Sequence, residues 1–338
     1  MSRPSGPAGG PRVVALGGGH GLSASLRALT QVTEDLTAVV TVADDGGSSG
    51  RLREEFGAVP PGDLRMALAA LAAPDAWAQV WTDLLQHRYP GDGALGGHAA
   101  GNLLLTGLAQ TRPGGVVEAL ELVGRLLGAR GRVLPASCTP LQIEAEVVGL
   151  DLADPYGSRT VTGQVAVATT AGSVSTVRLL PVDPPACPEA VEAVLSAEHV
   201  VLGPGSWFTS VLTHLLVPEL YQALLATPAR VTVVLNLAPQ AGETDGFTPE
   251  TYLEVLGAHA PELVVDTVLA DTATVPDPRG LMSVVESMGG RLVLAPLSLD
   301  DGTPRHDPAR LAHALRLAFD PVPRQPDPSP LGSARTWR

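Results

Sequence analysis

The stretch ADDGGSSGRLR (43–53) carries the densest set of residues able to do chemistry in this sequence. Two adjacent carboxylates, Asp44 and Asp45, precede five small residues and two arginines. Successive backbone N–H groups in such a glycine-serine loop form an anion-binding nest, and glycine lets the backbone approach a ligand closely. The segment therefore predicts a binding loop for a phosphorylated ligand, which further includes Gly46, Gly47, Ser48, Ser49 and Arg51.

The role of the two aspartates stays open at this point. They can accept ribose hydroxyls at the end of a strand, as acids do in nucleotide-binding folds. They can hold Mg²⁺ beside phosphate oxygens, since this ion is usually bound by one or two carboxylates. One of them can instead cap the helix near Ser48 while the other is solvated. Magnesium with Asp44 and Asp45 as ligands is the one cofactor that the sequence suggests.

A second glycine-rich turn, LGGGHGLSASL (16–26), follows an apolar run and opens a helical pattern. It contains Gly19-x-Gly21-x-x-Ala24, a variant of the dinucleotide fingerprint, in which helix N–H groups hold a phosphate. A tight strand-to-helix turn without a ligand explains the same pattern. On the binding interpretation, the loop residues are Gly18, Gly19, His20 and Gly21.

Four more segments carry polar residues where helices begin or strands end. Asp63 and Arg65 open a helix, with a simple N-cap as the alternative for Asp63. His98 and Asn102 precede another apolar helix, where a buried, hydrogen-bonded amide is the alternative. LGPGSWFTSVL (202–212) repeats the strand–glycine–helix arrangement. The remaining candidate residues are Gly203, Gly205, Ser206, Thr209, Asn236, Gln240, Glu243, Thr244 and Asp245.

These segments need a sheet edge that brings them together. Apolar, β-branched runs alternate with helical patterns along the chain, which predicts a Rossmann-like three-layer α/β fold with a mostly parallel sheet. Ligands bind such sheets outside the carboxyl ends of the strands. From 131 to 182 the pattern alternates without a convincing helix, with LQIEAEVVG and GQVAVATT as strand patterns, and predicts a small antiparallel β insert. The predicted strands are 12–16, 36–43, 198–203, 229–237, 261–270 and 291–297.

The pattern predicts one α/β domain over 11–320, with its core in 11–130 and 183–320. The ends, 1–10 and 321–338, are rich in proline, glycine and serine and are predicted to be disordered. No run is long and apolar enough to span a bilayer or to act as a signal peptide, so we expect a cytoplasmic protein.

Composition narrows the ligand classes. The net charge of −13 disfavours nucleic acid as a partner, but not a small anion in a locally positive pocket. All 22 basic residues are arginine, which removes the phosphate-loop lysine and any Schiff-base lysine. The two cysteines, Cys138 and Cys187, show no disulfide or metal spacing and are predicted to be inert thiols.

Seven motifs in this order resemble the YvcK-type gluconeogenesis factors of the CofD-like fold, which includes 2-phospho-L-lactate transferase. They are GGGHGLSASLRAL, VTVADDGGSSGRLR, PPGDLRMAL, GHAAGNLLL, GRVLPAS, GPGSWFTSVLTHLLVPEL and QAGETDGF. The resemblance implies a cytoplasmic regulator, needed for cell shape and wall synthesis on gluconeogenic carbon sources, that binds UDP-N-acetylglucosamine or a related UDP-sugar. It also implies that Arg305 contacts phosphate. His20 and Asp307 depart from the family pattern, which has threonine and asparagine there.

Three functions are weighed. The first is a non-catalytic UDP-sugar regulator, which GGSSGRLR after the aspartates favours and which acts on an unidentified protein partner of wall synthesis. The second is a transferase resembling 2-phospho-L-lactate transferase, with Mg²⁺ on Asp44 or Asp45. The third is an NAD-binding protein. No nucleophile with an activating base stands out, so catalysis is not expected. A homodimer is expected by default.

Overall fold

The computed structural model describes residues 10–150, 154 and 156–320. The disorder predicted for 1–10 and 321–338 concerns segments that, apart from Gly10, lie outside the described residues. Among the described residues, no helix combines the length and the apolar character that crossing a bilayer would require.

Strands within the described residues build two separate sheets. Their bounds, in chain order, are β1 Val13–Gly17, β2 Leu36–Val40, β3 Arg132–Pro135, β4 Gln142–Val148, β5 Ser158–Thr162, β6 Ser173–Leu180, β7 His199–Leu202, β8 Arg230–Val234, β9 Thr267–Asp271 and β10 Arg291–Ala295.

Helices connect the strands and cover the main sheet. Their bounds are α1 Gly19–Leu29, α2 Gly47–Phe56, α3 Gly62–Leu71, α4 Ala76–Gln86, α5 Ala100–Thr111, α6 Gly115–Leu126, α7 Gln164–Ala168, α8 Pro188–Ser196, α9 Pro218–Ala226, α10 Pro249–His259, α11 Pro278–Ser287 and α12 Pro308–Phe319.

The main sheet has seven parallel strands in the order β10-β9-β8-β7-β1-β2-β3. Val13 at the start of β1 pairs with Leu36 on one side and His199 on the other. Every residue of β1 is buried, as expected for a strand covered on both faces. The predicted α/β fold with a mostly parallel sheet is confirmed.

The chain winds from β1 towards β3 and later from β7 towards β10, in opposite directions along the sheet. Right-handed crossovers then place the two sets of helices on opposite faces. Helix α1 packs against α3 and α12, while α8 packs against α9 and α10 against α11. The change of direction lies between β1 and β7, so their carboxyl ends form the switch point.

The second sheet is antiparallel, in the order β5-β4-β6. Its middle strand, β4, alternates as predicted, with Ile143, Ala145 and Val147 buried. The antiparallel sheet is therefore confirmed, whereas the division into a core and an insert over 131–182 stays a prediction.

Two segments of the expected insert differ from the prediction. GRVLPAS forms β3, which pairs parallel to β2 at the edge of the main sheet. GQVAVATT, predicted as a strand, forms the short helix α7. Gly163, at φ +106°, turns the chain out of β5, and the Asp45 carboxylate then accepts the Val165 N–H at 3.0 Å. A contact from a distant loop thus overrides the local alternation.

Two further elements depart from expectation. Strand β9 begins at Thr267, six residues later than the predicted start of 261. The helix expected after the Gly-Pro-Gly-Ser turn is instead a π-helical turn, Trp207–Val211, followed by a 3-10 turn, Leu212–His214. The N–H groups of Ser210 and Val211 share the Ser206 carbonyl, which produces the wider turn.

Candidate functional site

A cleft of about 740 Å³ lies at the switch point. Its walls come from the loops after β7, β8 and β10, from α1, α3 and α4, from Arg88 just after α4 and from the first residue of α12. This is the position at which open parallel sheets bind ligands, and the volume lies in the range of small-molecule sites.

The cleft is positively charged although the protein is acidic. Arg27, Arg65, Arg88 and Arg305 line it, and no aspartate or glutamate among the described residues does so. Burial, followed by the charge of nearby Arg88, lowers the pKa of Arg65 to about 10, which still leaves its guanidinium charged at neutral pH. Arg305 is already paired with Asp301 at 2.7 Å. The other three arginines, with no carboxylate in the wall, favour a ligand that carries several negative charges.

Buried polar atoms of the cleft lack partners within the described part of the chain. Arg65 is only 4% exposed, yet its Nη1 has no hydrogen-bond partner. The same holds for Thr82 Oγ1, Gln240 Oε1 and His306 Nε2, all of them in the cleft wall. An unpaired buried polar group costs about 1–3 kcal/mol. These atoms therefore offer hydrogen bonds that a bound ligand can complete.

A buried chain of hydrogen bonds fixes the position of Arg65. Its Nε donates to Asn102 Oδ1 at 2.8 Å, and Asn102 Nδ2 donates to Ser48 Oγ at 3.0 Å. Ser48 Oγ in turn lies 2.9 Å from His98 Nδ1. Three predicted binding residues thus lie behind the cleft and orient the arginine that lines it.

The glycine loop after β1 contacts Asp63 closely. The Gly19 N–H donates to the Asp63 carboxylate, and burial, together with nearby Asp44, raises the pKa of Asp63 to about 7. A Cβ on Gly18 would lie 2.6 Å from Asp63 Oδ2, so only glycine fits there. Asp63 is not the N-cap of α3, which is Pro61. It instead occupies the N-terminus of α1, where the sequence predicted a phosphate.

The neighbouring carboxylates Asp44 and Asp45 bond to different segments. Asp44 Oδ1 accepts the Gly46 N–H at 2.9 Å, while Asp45 Oδ1 accepts the N–H of Val165 in α7. The carboxyl that electrostatically influences Asp63 is that of Asp44. Over the described ranges, no three histidine, cysteine, aspartate or glutamate side chains group as a metal site. Magnesium on Asp44 and Asp45 stays a prediction.

The loop after β7 is held by two residues from the loop after β8. Asn236 bonds both backbone groups of Gly205, accepting at 2.9 Å and donating at 2.8 Å. Glu243 accepts N–H groups from Phe208 at 2.8 Å and Thr209 at 3.1 Å, and the Ser206 hydroxyl. The anion-binding turn predicted here is thus filled by the chain's own carboxylate.

Glu243→Ala is expected to lower the free energy of unfolding by about 3–5 kcal/mol. The substitution leaves the donors of Ser206, Phe208 and Thr209 without their shared acceptor in a buried site. Urea unfolding checks this, with Glu254→Ala, at an exposed position of α10, as the control. Equal stability of the two variants would contradict the role of Glu243.

The predicted residues separate into two groups. Those in the cleft wall are His20, Gly21, Arg65, Gly205, Asn236, Gln240 and Arg305. The wall does not include Gly18, Gly19, Asp44, Asp45, Gly46, Gly47, Ser48, Ser49, Arg51, Asp63, His98, Asn102, Gly203, Ser206, Thr209, Glu243, Thr244 and Asp245. In this second group, Thr244 Oγ1 accepts the Gln240 N–H and Asp245 Oδ2 accepts the Gly242 N–H, so both fix the loop after β8.

Several residues of the cleft wall are not predicted from the sequence. Arg27 lies two turns into α1, and Thr82 and Gln86 lie on α4, far from any glycine motif. In the sequence each is only a polar residue on a helix whose other face packs. Such a residue can face either a ligand or the solvent, so the sequence does not mark it as a binding residue. Arg88 comes from a loop without a recognisable pattern, and His306 lies between Arg305 and Asp307, where the family resemblance implied a ligand contact for Arg305 alone.

Comparisons with known proteins agree on one family. The family described as 2-phospho-L-lactate transferase CofD matches residues 13–284. A Mycobacterium leprae protein named "Putative gluconeogenesis factor" is 53% identical over 313 residues, covering 91% of this chain and 86% of that protein. The "Gluconeogenesis factor" of Listeria monocytogenes is 37% identical over 316 residues, covering 90% and 94%. A UPF0052-family crystal structure from Bacillus halodurans superimposes with a TM-score of 0.80 at 32% identity, covering 92% of this chain and all of that one.

Proposed function

The chain belongs to the family of 2-phospho-L-lactate transferase CofD, and on that premise we propose that it binds a nucleotide sugar of the UDP-N-acetylglucosamine type without transforming it. The family resemblance expected from the sequence motifs is confirmed by these matches. The ligand and its role are the proposal.

The observation that carries the proposal is the cleft with four arginines and no lining carboxylate in a chain of net charge −13. A nucleotide sugar brings a diphosphate for the arginines, since guanidinium groups bind phosphate with two parallel hydrogen bonds. The amides of Asn236 and Gln240 lie in the same wall and can contact a base or a sugar hydroxyl.

The same cleft offers no activated nucleophile. Ser23, which lines it, donates its hydroxyl proton to the Gly19 carbonyl at 2.9 Å and not to a histidine. Both thiols of the chain lie outside the cleft wall. A binding role therefore fits the lining better than covalent catalysis.

The link to gluconeogenic growth in this proposal follows the names of the relatives, which are called gluconeogenesis factors, and the link to cell shape and wall synthesis follows the resemblance of the sequence motifs. The protein would act in the cytoplasm as a regulator of cell shape and wall synthesis during growth on gluconeogenic carbon. It would act as a homodimer and through a protein partner that responds to the bound nucleotide sugar.

A second candidate is a transferase of the 2-phospho-L-lactate type, which the family description favours. Its Mg²⁺ ligand would be Asp44 or Asp45, and the Asp44 carboxylate also helps to raise the pKa of Asp63. In this case Mg²⁺ with a guanosine nucleotide, and not a UDP-sugar, would be the preferred ligand.

Thermal unfolding with UDP-N-acetylglucosamine, with NAD, and with GDP plus Mg²⁺ separates the candidates. A ligand at ~100 times its dissociation constant adds about 2.7 kcal/mol to the free energy of unfolding if only the folded state binds it. We expect the melting temperature to rise with UDP-N-acetylglucosamine and to stay unchanged with NAD. No rise at millimolar UDP-N-acetylglucosamine, or a rise only with GDP and Mg²⁺, would reject the proposal.

A further inference from the structure

The only two cysteines of the 338-residue chain meet in space. Cys138 follows β3, and Cys187 is the residue before α8. The Cys187 N–H donates to the Ala136 carbonyl at 3.0 Å, which brings the two segments side by side. The thiols of Cys138 and Cys187 interact directly. The two cysteines are 49 residues apart, so the sequence does not indicate this contact. The sequence predicts both thiols to be inert.

The two thiols differ in exposure. Cys138 is exposed, whereas Cys187 is fully buried and donates to Glu189 Oε2 at 3.1 Å. The interaction with the Cys187 thiol lowers the pKa of Cys138, which favours its thiolate. The neighbouring Cys138 sulfur, then burial and the Glu189 carboxylate, raise the pKa of Cys187, which keeps it a neutral thiol. An accessible thiolate beside a protected thiol is the arrangement of redox-sensing cysteine pairs.

We propose that Cys138 and Cys187 form a reversible redox pair, with Cys138 as the reacting and Cys187 as the resolving residue. The Cys138 thiolate attacks a hydroperoxide: a sulfur–oxygen bond forms, the peroxide O–O bond breaks, and sulfenic acid and hydroxide or alkoxide result. The Cys187 sulfur then attacks the sulfenic acid, the disulfide bond forms, and the oxygen leaves as water with the thiol proton. A small-molecule dithiol reduces the disulfide and restores both thiols.

The disulfide would close the base of the antiparallel sheet. Residues 138 and 187 bracket β4, β5, α7 and β6. The Gly163 N–H donates to the Ile143 carbonyl at 2.7 Å, which places α7 beside the start of β4. From there Val165 donates to Asp45 and the Gln164 side chain contacts Thr209. Oxidation would therefore restrict the motion of the segment between residues 138 and 187, which contacts two of the predicted binding loops.

Hydrogen peroxide treatment of the full-length protein, followed by thiol counting and peptide mapping, tests the pair. We expect both thiols to be lost, the mass to fall by two hydrogens, and a peptide linking Cys138 to Cys187 to appear within one chain. The melting temperature should rise by about 3–6 °C, because the bond closes a long loop in the unfolded chain. Dithiothreitol should reverse every change.

Single substitutions distinguish the two roles. In Cys187→Ser, Cys138 should form a sulfenic acid that dimedone traps, whereas in Cys138→Ser the buried Cys187 should not react at the same peroxide dose. The double variant controls for oxidation elsewhere. Persistence of both thiols in the wild type, a disulfide between two chains, or equal dimedone labelling of the two single variants would overturn the proposal.

Discussion

Arg65→Gln is expected to weaken binding of UDP-N-acetylglucosamine by about 30- to 4000-fold. Arg65 is 4% exposed, lines the cleft, and leaves Nη1 free for a ligand while Nε is held by Asn102. Truncating one partner of a buried, hydrogen-bonded charge pair costs about 2–5 kcal/mol, and 1.4 kcal/mol corresponds to a factor of ten. Isothermal titration of the wild type and the variant measures the change.

Two further variants isolate the contribution of the guanidinium group. Arg65→Lys keeps the charge but loses the planar fork, so its affinity should lie between those of the wild type and the glutamine variant. Arg112→Gln removes an exposed arginine outside the cleft wall and should bind as the wild type does. Unchanged affinity of a folded Arg65→Gln protein would show that the ligand does not use this cleft.

Asp63→Asn is expected to stabilise the folded protein above neutral pH. Burial is the main reason why the pKa of Asp63 rises from 3.8 to about 7 in the folded state. Between these two pH values the folded protein keeps a proton that the unfolded chain has lost, so the free energy of unfolding falls as pH rises. Asparagine cannot ionise, yet its side-chain oxygen can still accept the Gly19 N–H.

Urea unfolding at pH 5 and pH 8 measures this effect. The stability advantage of Asp63→Asn over the wild type should grow by about 2–3 kcal/mol between the two pH values, since one pKa unit corresponds to 1.36 kcal/mol. Asp92→Asn, at an exposed position, should show no such growth. An advantage that is equal at both pH values would mean that Asp63 is already ionised at pH 5.

The sequence predicted the sheet because buried parallel strands leave a strong local signal. The runs that form β1, β2, β7 and β8 are continuous and β-branched, and each is followed by polar or glycine-rich residues. The rule for the carboxyl ends of parallel strands then predicted the edge of the sheet at which the cleft lies. That rule also brought Arg65, Asn236 and Gln240 into the candidate site, where the structure places them in one wall.

The local sequence pattern does not indicate which distant side chain accepts the hydrogen bonds of a given loop. Two strand-to-helix turns, those after β1 and β7, are predicted to bind anions. Their backbone N–H groups instead donate to the carboxylates of Asp63 and Glu243, which come from elsewhere in the chain. The alternation of GQVAVATT suggested a strand, but Asp45 holds that segment as a helical turn. In each case one carboxylate, brought in by the fold, decides the outcome, because backbone N–H groups must be satisfied wherever the acceptor comes from.

By itself the sequence determined the α/β class, the edge of the sheet where the cleft lies, and the family. Only the tertiary structure decided that Arg27 and Arg88 complete a positive cleft and that Cys138 meets Cys187. The physical reason is the distance along the chain over which each feature arises. Hydrophobic periodicity arises from neighbours within a few residues, whereas a cleft or a thiol pair joins side chains from distant elements that only the packed helices and strands bring together.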